Sequence, residues 1–510
     1  MTDWTAGYVA DIGYTYGYYG ELNPLRVKLA FLNAGLVCPE FGTACELGFG
    51  QGLSTNIHAA ATLTQWSGTD FNPAQAAFAQ ELAGIVGNEA RLFDQAFDEF
   101  AGRADLPDFD YIGLHGIWSW ISDANRAVIV DFVRRKLKVG GVLYISYNTQ
   151  PGWAAMVPMR DLLAEHAGVM GSSGQGILSR IDDALVFAEK LLASNPNYAK
   201  ANPQIIERIK KIKEQDRNYV AHEYINGYWV PMSFTSMSKW LAPAKLDFAC
   251  SANYLDLVDV VNLTAEQQVL LNEIPDPMFR QTVRDFMVNQ QFRKDYWVKG
   301  ARRLSAVESV ELLRTQNVML TADRAGIELK VTGSLQATLS GAIYDPILDI
   351  LADHKPKTLA QLEQALLGKN ISFEQLTQAA MILIGAGHLC AVQDDGLITK
   401  ARKRTDRLNA YLALKARSSG DITFLASPVT GGGIAVARCQ QLFLLAIAQG
   451  KKQPRDWPQA VWQLLEAQGQ KIVKEGHTLE TAEENLAEIT AQAETFSLKQ
   501  LPIMKALQIA

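Results

Sequence analysis

The residues best suited to chemistry lie in one run near the N-terminus, Cys45-Glu46-Leu47-Gly48-Phe49-Gly50-Gln51-Gly52. The glycines at 48, 50 and 52 follow a strand-like segment and open a helix-like one, where the backbone must turn sharply and approach a ligand closely. A dinucleotide fingerprint, G-x-G-x-x-G, would place its third glycine at 53. That position is Leu53, and the pattern is instead E-x-G-x-G-x-G. A carboxylate at Glu46 suits a ligand ammonium, directly or through water. Asp70 stands 22 residues after Gly48, where an acid can accept from both ribose hydroxyls. Asp94 ends a third strand-like run and can accept from an adenine amino group, while the backbone at Gln95 meets a ring nitrogen. Phe49 and Phe71 flank these groups as further cofactor contacts. Each acid alone is a common surface residue. Three at successive strand ends point to a nucleoside-type cofactor.

Two more strand ends carry aromatic and polar side chains. Leu114-His115-Gly116-Ile117-Trp118-Ser119-Trp120 offers one His and two Trp. Aromatic faces hold a sulfonium or an ammonium by cation–π attraction worth about 0.5–2 kcal/mol. His115 reads better as a cofactor contact than as a base. Tyr147-Asn148 follows the next strand and can orient an incoming amine by hydrogen bonding. Trp118, Trp120, Tyr147 and Asn148 are therefore the candidates for positioning an acceptor, with no dedicated base assigned. The tyrosines at 14, 16, 18 and 19 could form a lid.

These residues need a parallel sheet to gather them. Thr43–Leu47, Trp66–Thr69, Arg91–Phe93, Tyr111–Leu114 and Gly141–Ser146 read as strands, with helices such as Ala74–Ile85 and Asp123–Leu137 between them. Alternation of this kind predicts an α/β, Rossmann-like fold with ligands at the carboxyl ends of the strands. Residues 168–176 are Gly/Ser-rich and read as a loop. The segment Pro203–Arg217 has isoleucines along one side and charge elsewhere, the pattern of an amphipathic surface helix. Leu246–Cys250 and Phe292–Val298 read as two strands that would complete the sheet. Val318–Leu320 and Gly326–Val331 read as a hairpin around the turn signal at Asp323–Gly326. Residues 343–395 give helix, helix, helix, strand, the order of a winged-helix module. The rest is mostly helical. The expected divisions are 1–165, a cofactor-binding core; 166–303, a regulatory region with a helical insertion; 304–400, the hairpin and winged-helix-like module; and 401–510, a helical region. Deleting 304–510 is expected to leave cofactor affinity nearly intact.

Composition narrows the function classes. With 510 residues, the chain is too long for one core. Hydrophobic residues are 48% and charged residues 20%, which argues against a largely disordered chain. The net charge of −6, and 16 acidic against 10 basic side chains in the first 160 residues, disfavour a phosphate backbone near the crevice. A protein substrate is therefore expected over nucleic acid, although Lys400–Arg407 forms a basic stretch. Five cysteines in no CxxC spacing suggest reduced thiols, and seven histidines show no metal-ligand spacing, so no metal is expected. No secretory signal and no run of about 20 apolar residues is visible. A cytoplasmic location follows as an expectation; the oligomeric state does not follow.

The segments HGIWSW at 115–120, YISYNTQPGW at 144–153 with Arg160-Asp161-Leu162-Leu163 and His166 after it, and HEYINGYWVP at 222–231 carry a resemblance. From about Tyr8 to Arg303 the chain resembles bacterial class I methyltransferases with a methyltransferase regulatory domain. The best-known members methylate lysines of outer-membrane protein. The resemblance implies S-adenosyl-L-methionine as cofactor, S-adenosyl-L-homocysteine as product and a lysine side chain as acceptor. Glu46, Gly48, Phe49, Gly50, Gly52, Asp70, Phe71, Asp94, Gln95 and His115 are the implied cofactor contacts. Family members carry Gln-Thr-His-Pro where this chain has Glu21-Leu22-Asn23-Pro24. Amino-methylating nucleic-acid enzymes have Asp or Asn, two prolines and an aromatic at the fourth strand end, and this chain lacks that tetrad. The alternatives are an RNA methyltransferase and a cofactor-binding protein without catalysis.

Overall fold

A computed structural model describes residues 15–87, 90–170, 176–215 and 217–510. Tyr14 and the centre of the Gly/Ser-rich loop, 171–175, lie outside the described residues.

Seven strands form one sheet: β1 (Thr43–Leu47), β2 (Gln65–Asp70), β3 (Arg91–Asp94), β4 (Phe109–Leu114), β5 (Leu137–Asn148), β6 (Leu246–Ser251) and β7 (Phe292–Lys299). Their order is β3-β2-β1-β4-β5-β7-β6. β1 to β5 run parallel, and β7 enters antiparallel between β5 and β6. The register pairs Glu46 with Gly68 and with Gly113, and Asp70 with Asp94. The carboxyl ends of β1, β2 and β3 therefore stop at one level.

The crossover helices start where their sequences say they should. Asn23 accepts from the Leu25 N–H ahead of α1 (Pro24–Asn33). The glycine run leads into α2 (Leu53–Ala61). Asn72 caps α3 (Pro73–Val86), with Pro at the first turn and left-handed Gly87 closing the helix, a proline-in, glycine-out arrangement. The short α4 (Phe97–Ala101) follows β3, and Ser122 caps α5 (Asp123–Lys136). Beyond β5 come α6 (Val157–Val169), α7 (Ile177–Ala193), α8 (Asn197–Ala201), α9 (Gln204–Glu214) and α10 (Arg217–Tyr224). Ile205, Ile209 and Ile212 of α9 are buried, which is the apolar side that the charge pattern left over.

Four expectations need correction. β5 runs on through Tyr147 and Asn148, because pairing with β7 continues to Asn148↔Phe292; these two residues end the strand and do not follow it. The expected hairpin is not formed. β8 (Asn317–Leu320) is instead the central strand between β11 (Lys357–Thr358) and β12 (Leu389–Val392), while β9 (Lys330–Thr332) pairs with β10 (Gln336–Thr338). Asp323 caps a short 3-10 turn at Arg324–Gly326, so its turn signal ends a segment without reversing it onto β8. The boundary at 165/166 falls inside α6. The boundary at 400/401 falls inside the helix Asp395–Lys415, so the basic stretch is mid-helix.

The C-terminal region is packed onto the sheet layer. Leu408 and Leu412 of that helix share a core with Leu53 and Ile57 of α2 and Leu82 and Val86 of α3. The hairpin β13 (Phe424–Ser427) and β14 (Gly432–Ala435) lies against the segment before α1. Among the described residues no helix is long and apolar enough to cross a membrane.

Candidate active site

After β1 the backbone turns through three left-handed glycines, Gly48 (φ 75°), Gly50 (φ 58°) and Gly52 (φ 67°). Any L-residue would be strained there. Space is also closed: a Cβ on Gly48 would lie 2.4 Å from Ile117 Cδ1, and one on Gly52 2.3 Å from Ala79 Cβ. Asp70 is tied to this turn. Its Oδ2 accepts from the Gly50 N–H at 2.8 Å and its Oδ1 from the Asn72 N–H at 3.0 Å. Burial pushes its carboxyl up to about 6, against those two hydrogen bonds.

Glu46 is 1% exposed at the end of β1. One carboxylate oxygen accepts from the Thr55 hydroxyl, and Oε1 has no partner in the described structure. Burial raises this carboxyl to about 8. A buried carboxylate oxygen without a donor is costly, and a cationic ligand group would satisfy it.

The strand ends open into a cleft of about 1130 Å³, including its open mouth. One wall is the glycine turn with Asp70 and Phe71; Gln95, Ala96 and Phe97 form the end beyond β3. His115, Gly116, Ile117 and Trp120 line the β4 side, and Tyr19 and Tyr228 reach in from outside the sheet. Tyr19 stacks on His115 with ring centroids 3.6 Å apart, and His115 Nδ1 lies 2.7 Å from the Tyr144 hydroxyl. Burial depresses the His115 imidazole to about 4. It is therefore neutral at pH 7 and far too weak a base to hold a lysine proton.

The cleft thus brings together Gly48, Phe49, Gly50, Gly52, Asp70, Phe71, Gln95, His115 and Trp120. Other candidates lie elsewhere. Asp94 is exposed and does not line the cleft, although the following Gln95 does. Trp118 is 0% exposed. It packs in the core with Phe132, Ile145 and Met237, and its Nε1 donates to Met232 Sδ at 3.2 Å. Tyr147 donates to Asp295 at 2.9 Å within a buried Arg293–Asp295–Asp285 network. Asn148 is buried, its backbone N–H bound to the Ser119 hydroxyl. An acceptor channel lined by Trp118 and Tyr147 is therefore not what the chain builds, because a 3-10 turn at Trp118–Trp120 sends the two indoles to different places. Of the lid tyrosines, Tyr19 reaches the cleft. Tyr16 packs on Phe78, and Tyr18 packs between His58 and Phe424.

Sequence reasoning missed Tyr228, Ile117, Ile121, Phe97 and Asn125 as lining residues. Tyr228 had a signal, since it sits in the HEYINGYWVP segment. That segment crosses the sheet ends: the Val230 N–H donates to Ser119 O at 2.8 Å and the Met232 N–H to Asn148 O at 3.0 Å. Trp120 and Trp229 continue the aromatic surface, with centroids 6.1 Å apart.

Comparison with known proteins agrees with this architecture. A family model described as a predicted methyltransferase regulatory domain matches residues 216–299. The uncharacterized Synechocystis sp. protein sll1526 is 42% identical over 99% of this chain and 100% of its own length. The uncharacterized Rickettsia prowazekii protein RP789 is 23% identical over 56% of this chain and 51% of its own. Among solved structures, PKMT2 from Rickettsia typhi in complex with AdoHcy superposes with a TM-score of 0.70 at 18% identity, covering 95% of this chain and 98% of that one.

Proposed function

The chain belongs to the class I S-adenosylmethionine-dependent methyltransferases that carry a methyltransferase regulatory domain, and from that premise we propose that it methylates lysine side chains of a protein. The observation that carries this reading is the cleft itself, which joins a glycine turn and Asp70 at one end to an aromatic wall at the other. The fold likeness to PKMT2, a protein-lysine methyltransferase, supports the acceptor class.

S-adenosylmethionine supplies, when bound, a methyl group on a sulfonium that an amine displaces in line. The chain's contribution is placement and exclusion of water. The unpartnered Oε1 of Glu46 fits the ammonium of the methionine half, reached directly or through water. Asp70 fits the ribose hydroxyls. The adenine falls to the Gln95–Phe97 end, where the exposed Asp94 contributes charge at a distance. Tyr19 on His115 walls the side from which an acceptor enters. A free lysine amine has a pKa near 10.4 and must lose its proton before it attacks. The apolar surroundings of Trp120, Tyr19 and Tyr228 favour its neutral form, and with His115 so weakly basic, the proton leaves to solvent or to a carboxylate.

The RNA reading rests on the basic stretch Lys400–Arg407, of which Lys400, Arg402, Lys403 and Arg407 are exposed. The basic stretch lies along a helix whose Arg404 is bonded to the Thr62 carbonyl of the core.

Incubation with deuteromethyl-labelled S-adenosylmethionine and a bacterial cell extract, followed by peptide mass spectrometry, tests the acceptor. Label on lysine side chains is expected. Label that disappears on nuclease digestion, or is found on a small metabolite, overturns it.

A further inference from the structure

The helix Pro277–Met287 carries two arginines four residues apart, Arg280 and Arg284. Side chains at that spacing share one helix face, where like charges oppose each other. Arg280 is half-buried and donates through Nε and Nη2 to the Ile274 carbonyl, at 3.2 and 2.6 Å. Arg284 is 7% exposed and donates through Nη2 to the Asp256 carbonyl at 3.0 Å. Nη1 of Arg280, and Nε and Nη1 of Arg284, meet no acceptor among the described residues, and neither guanidinium has an ion pair there. A guanidinium taken out of water without an opposing charge is costly.

Both arginines line one cavity, of about 970 Å³ including its open mouth, between this helix, the helix Ala265–Asn272 and the strands β6 and β7. The acids nearby are spent elsewhere. Asp256 lines the cavity, but its two carboxylate oxygens accept from the Ser251 hydroxyl and the Asn253 amide, each at 3.0 Å. Asp259 is exposed, where water screens its charge. Asp285 and Asp295 pair with Arg293, and neither acid lines the cavity; the other oxygen of Asp285, Oδ2, is buried without a partner. The cavity shares no lining residue with the cleft. Phe292 and Arg293 are neighbours on β7 and face opposite sides of the sheet. The Phe292 ring lies 6.1 Å from His115, whereas Arg293 lines the cavity. All of the lining falls within 216–299, the segment that the regulatory-domain family model matches.

We propose that this cavity is a second binding site, for a small metabolite carrying one carboxylate or phosphate group, which Arg280 and Arg284 hold between them. An oxyanion there meets the free N–H groups of both guanidiniums in charge-assisted hydrogen bonds and relieves the like-charge pair. Gln268, Asn272 and Gln281 add carboxamides to the lining, suited to hydroxyl or amide groups on the rest of the ligand. Asp256, beside Arg284, works against a second anionic group, so the ligand is singly headed.

The test follows thermal unfolding of the full chain, loaded with S-adenosylhomocysteine so that the cleft is filled, against rising inorganic phosphate or acetate. Chloride keeps the ionic strength constant. A ligand that binds the folded state raises Tm with its concentration, and a saturable rise is expected with at least one of the two anions. A rise with phosphate alone assigns a phosphate ester, and one with acetate alone a carboxylate. Arg280→Gln should weaken the anion by about tenfold, the loss of a charge-assisted hydrogen bond, while Arg280→Lys keeps part of the effect. Arg455→Gln, which removes an arginine 86% exposed, should behave as wild type. Arg284→Gln should match Arg280→Gln; if that buried replacement does not fold, Arg280, being half-buried, carries the comparison. S-adenosylhomocysteine affinity should be the same in Arg280→Gln and wild type, which separates this site from the cleft. No saturable rise with either anion, or a rise that Arg280→Gln leaves intact, overturns the proposal.

Discussion

Glu46 carries the sharpest consequence at the scale of single residues. Burial lifts its carboxyl from an ordinary 4.5 to about 8, so the ligand-free folded chain holds a proton there at pH 7 that the unfolded chain does not. The sign follows: this group's contribution to stability is full below about pH 4.5 and is lost as the pH rises through about 8. A ligand ammonium reverses the preference, because it favours the ionised acid. Binding of S-adenosylmethionine at pH 7 should therefore release a proton, read as a buffer-dependent calorimetric enthalpy between phosphate and Tris, and Glu46→Gln should remove that dependence. Equal heats in the two buffers would count against the role of Glu46. The two indoles make the second contrast. Trp118→Ala should destabilise the fold by about 3–5 kcal/mol, seen in denaturant unfolding. Trp120→Ala should lower turnover while keeping cofactor affinity within a few-fold. The glycine turn was legible from sequence because only glycine tolerates its backbone. The difference between Trp118 and Trp120 was not, since two aromatics in one 3-10 turn look alike until their surroundings are fixed.

The elements show where local pattern suffices and where tertiary pairing decides. β1 to β4 and their helices followed from alternation and from caps such as Asn72-Pro73. The reach of β5 through Asn148 depended on β7, nearly 150 residues later, and the placement of β8 on two strands that follow it by tens of residues. No window of sequence contains that information. The β13–β14 hairpin is the most consequential example. Asn23 Nδ2 donates to Thr430 O at 2.9 Å, and the Tyr18 ring lies 5.1 Å from Phe424. Tyr19, the next residue, is held by Ser54 and His58 and closes the cleft. A Cβ on Gly433 would stand 2.9 Å from the Tyr18 ring. Gly433→Ala should therefore shift the Tyr18–Tyr19 segment and weaken S-adenosylmethionine binding by about tenfold, or roughly 1.4 kcal/mol. Affinity within twofold of wild type would show that the hairpin does not set the cleft wall.

Across the whole molecule, the C-terminal region is part of the enzyme's core. From the sequence, deleting 304–510 is expected to leave cofactor affinity nearly intact while damaging turnover, since composition does not reveal which apolar faces meet. In the structure Leu408, Leu412 and Leu425 cover α2 and α3 directly behind the glycine turn. Gln393 bridges the Ala61 and Pro428 carbonyls at 2.8 and 2.5 Å. Truncation after residue 400 should uncover Leu53, Ile57, Leu82 and Val86, giving low soluble yield and loss of cofactor affinity; a soluble truncate with wild-type affinity would contradict this packing account. All the functional readings rest on one claim, that the cleft at the strand ends is a binding site for S-adenosylmethionine. Calorimetric titration of the full chain with S-adenosylmethionine, NAD and the Asp70→Ala variant alongside tests it most directly. One S-adenosylmethionine per chain is predicted, with affinity at least about tenfold weaker in Asp70→Ala, as expected for loss of a charged hydrogen bond worth about 1.5–3 kcal/mol, and with no NAD binding. Saturable binding of NAD without S-adenosylmethionine, or Asp70→Ala at full affinity, would contradict it.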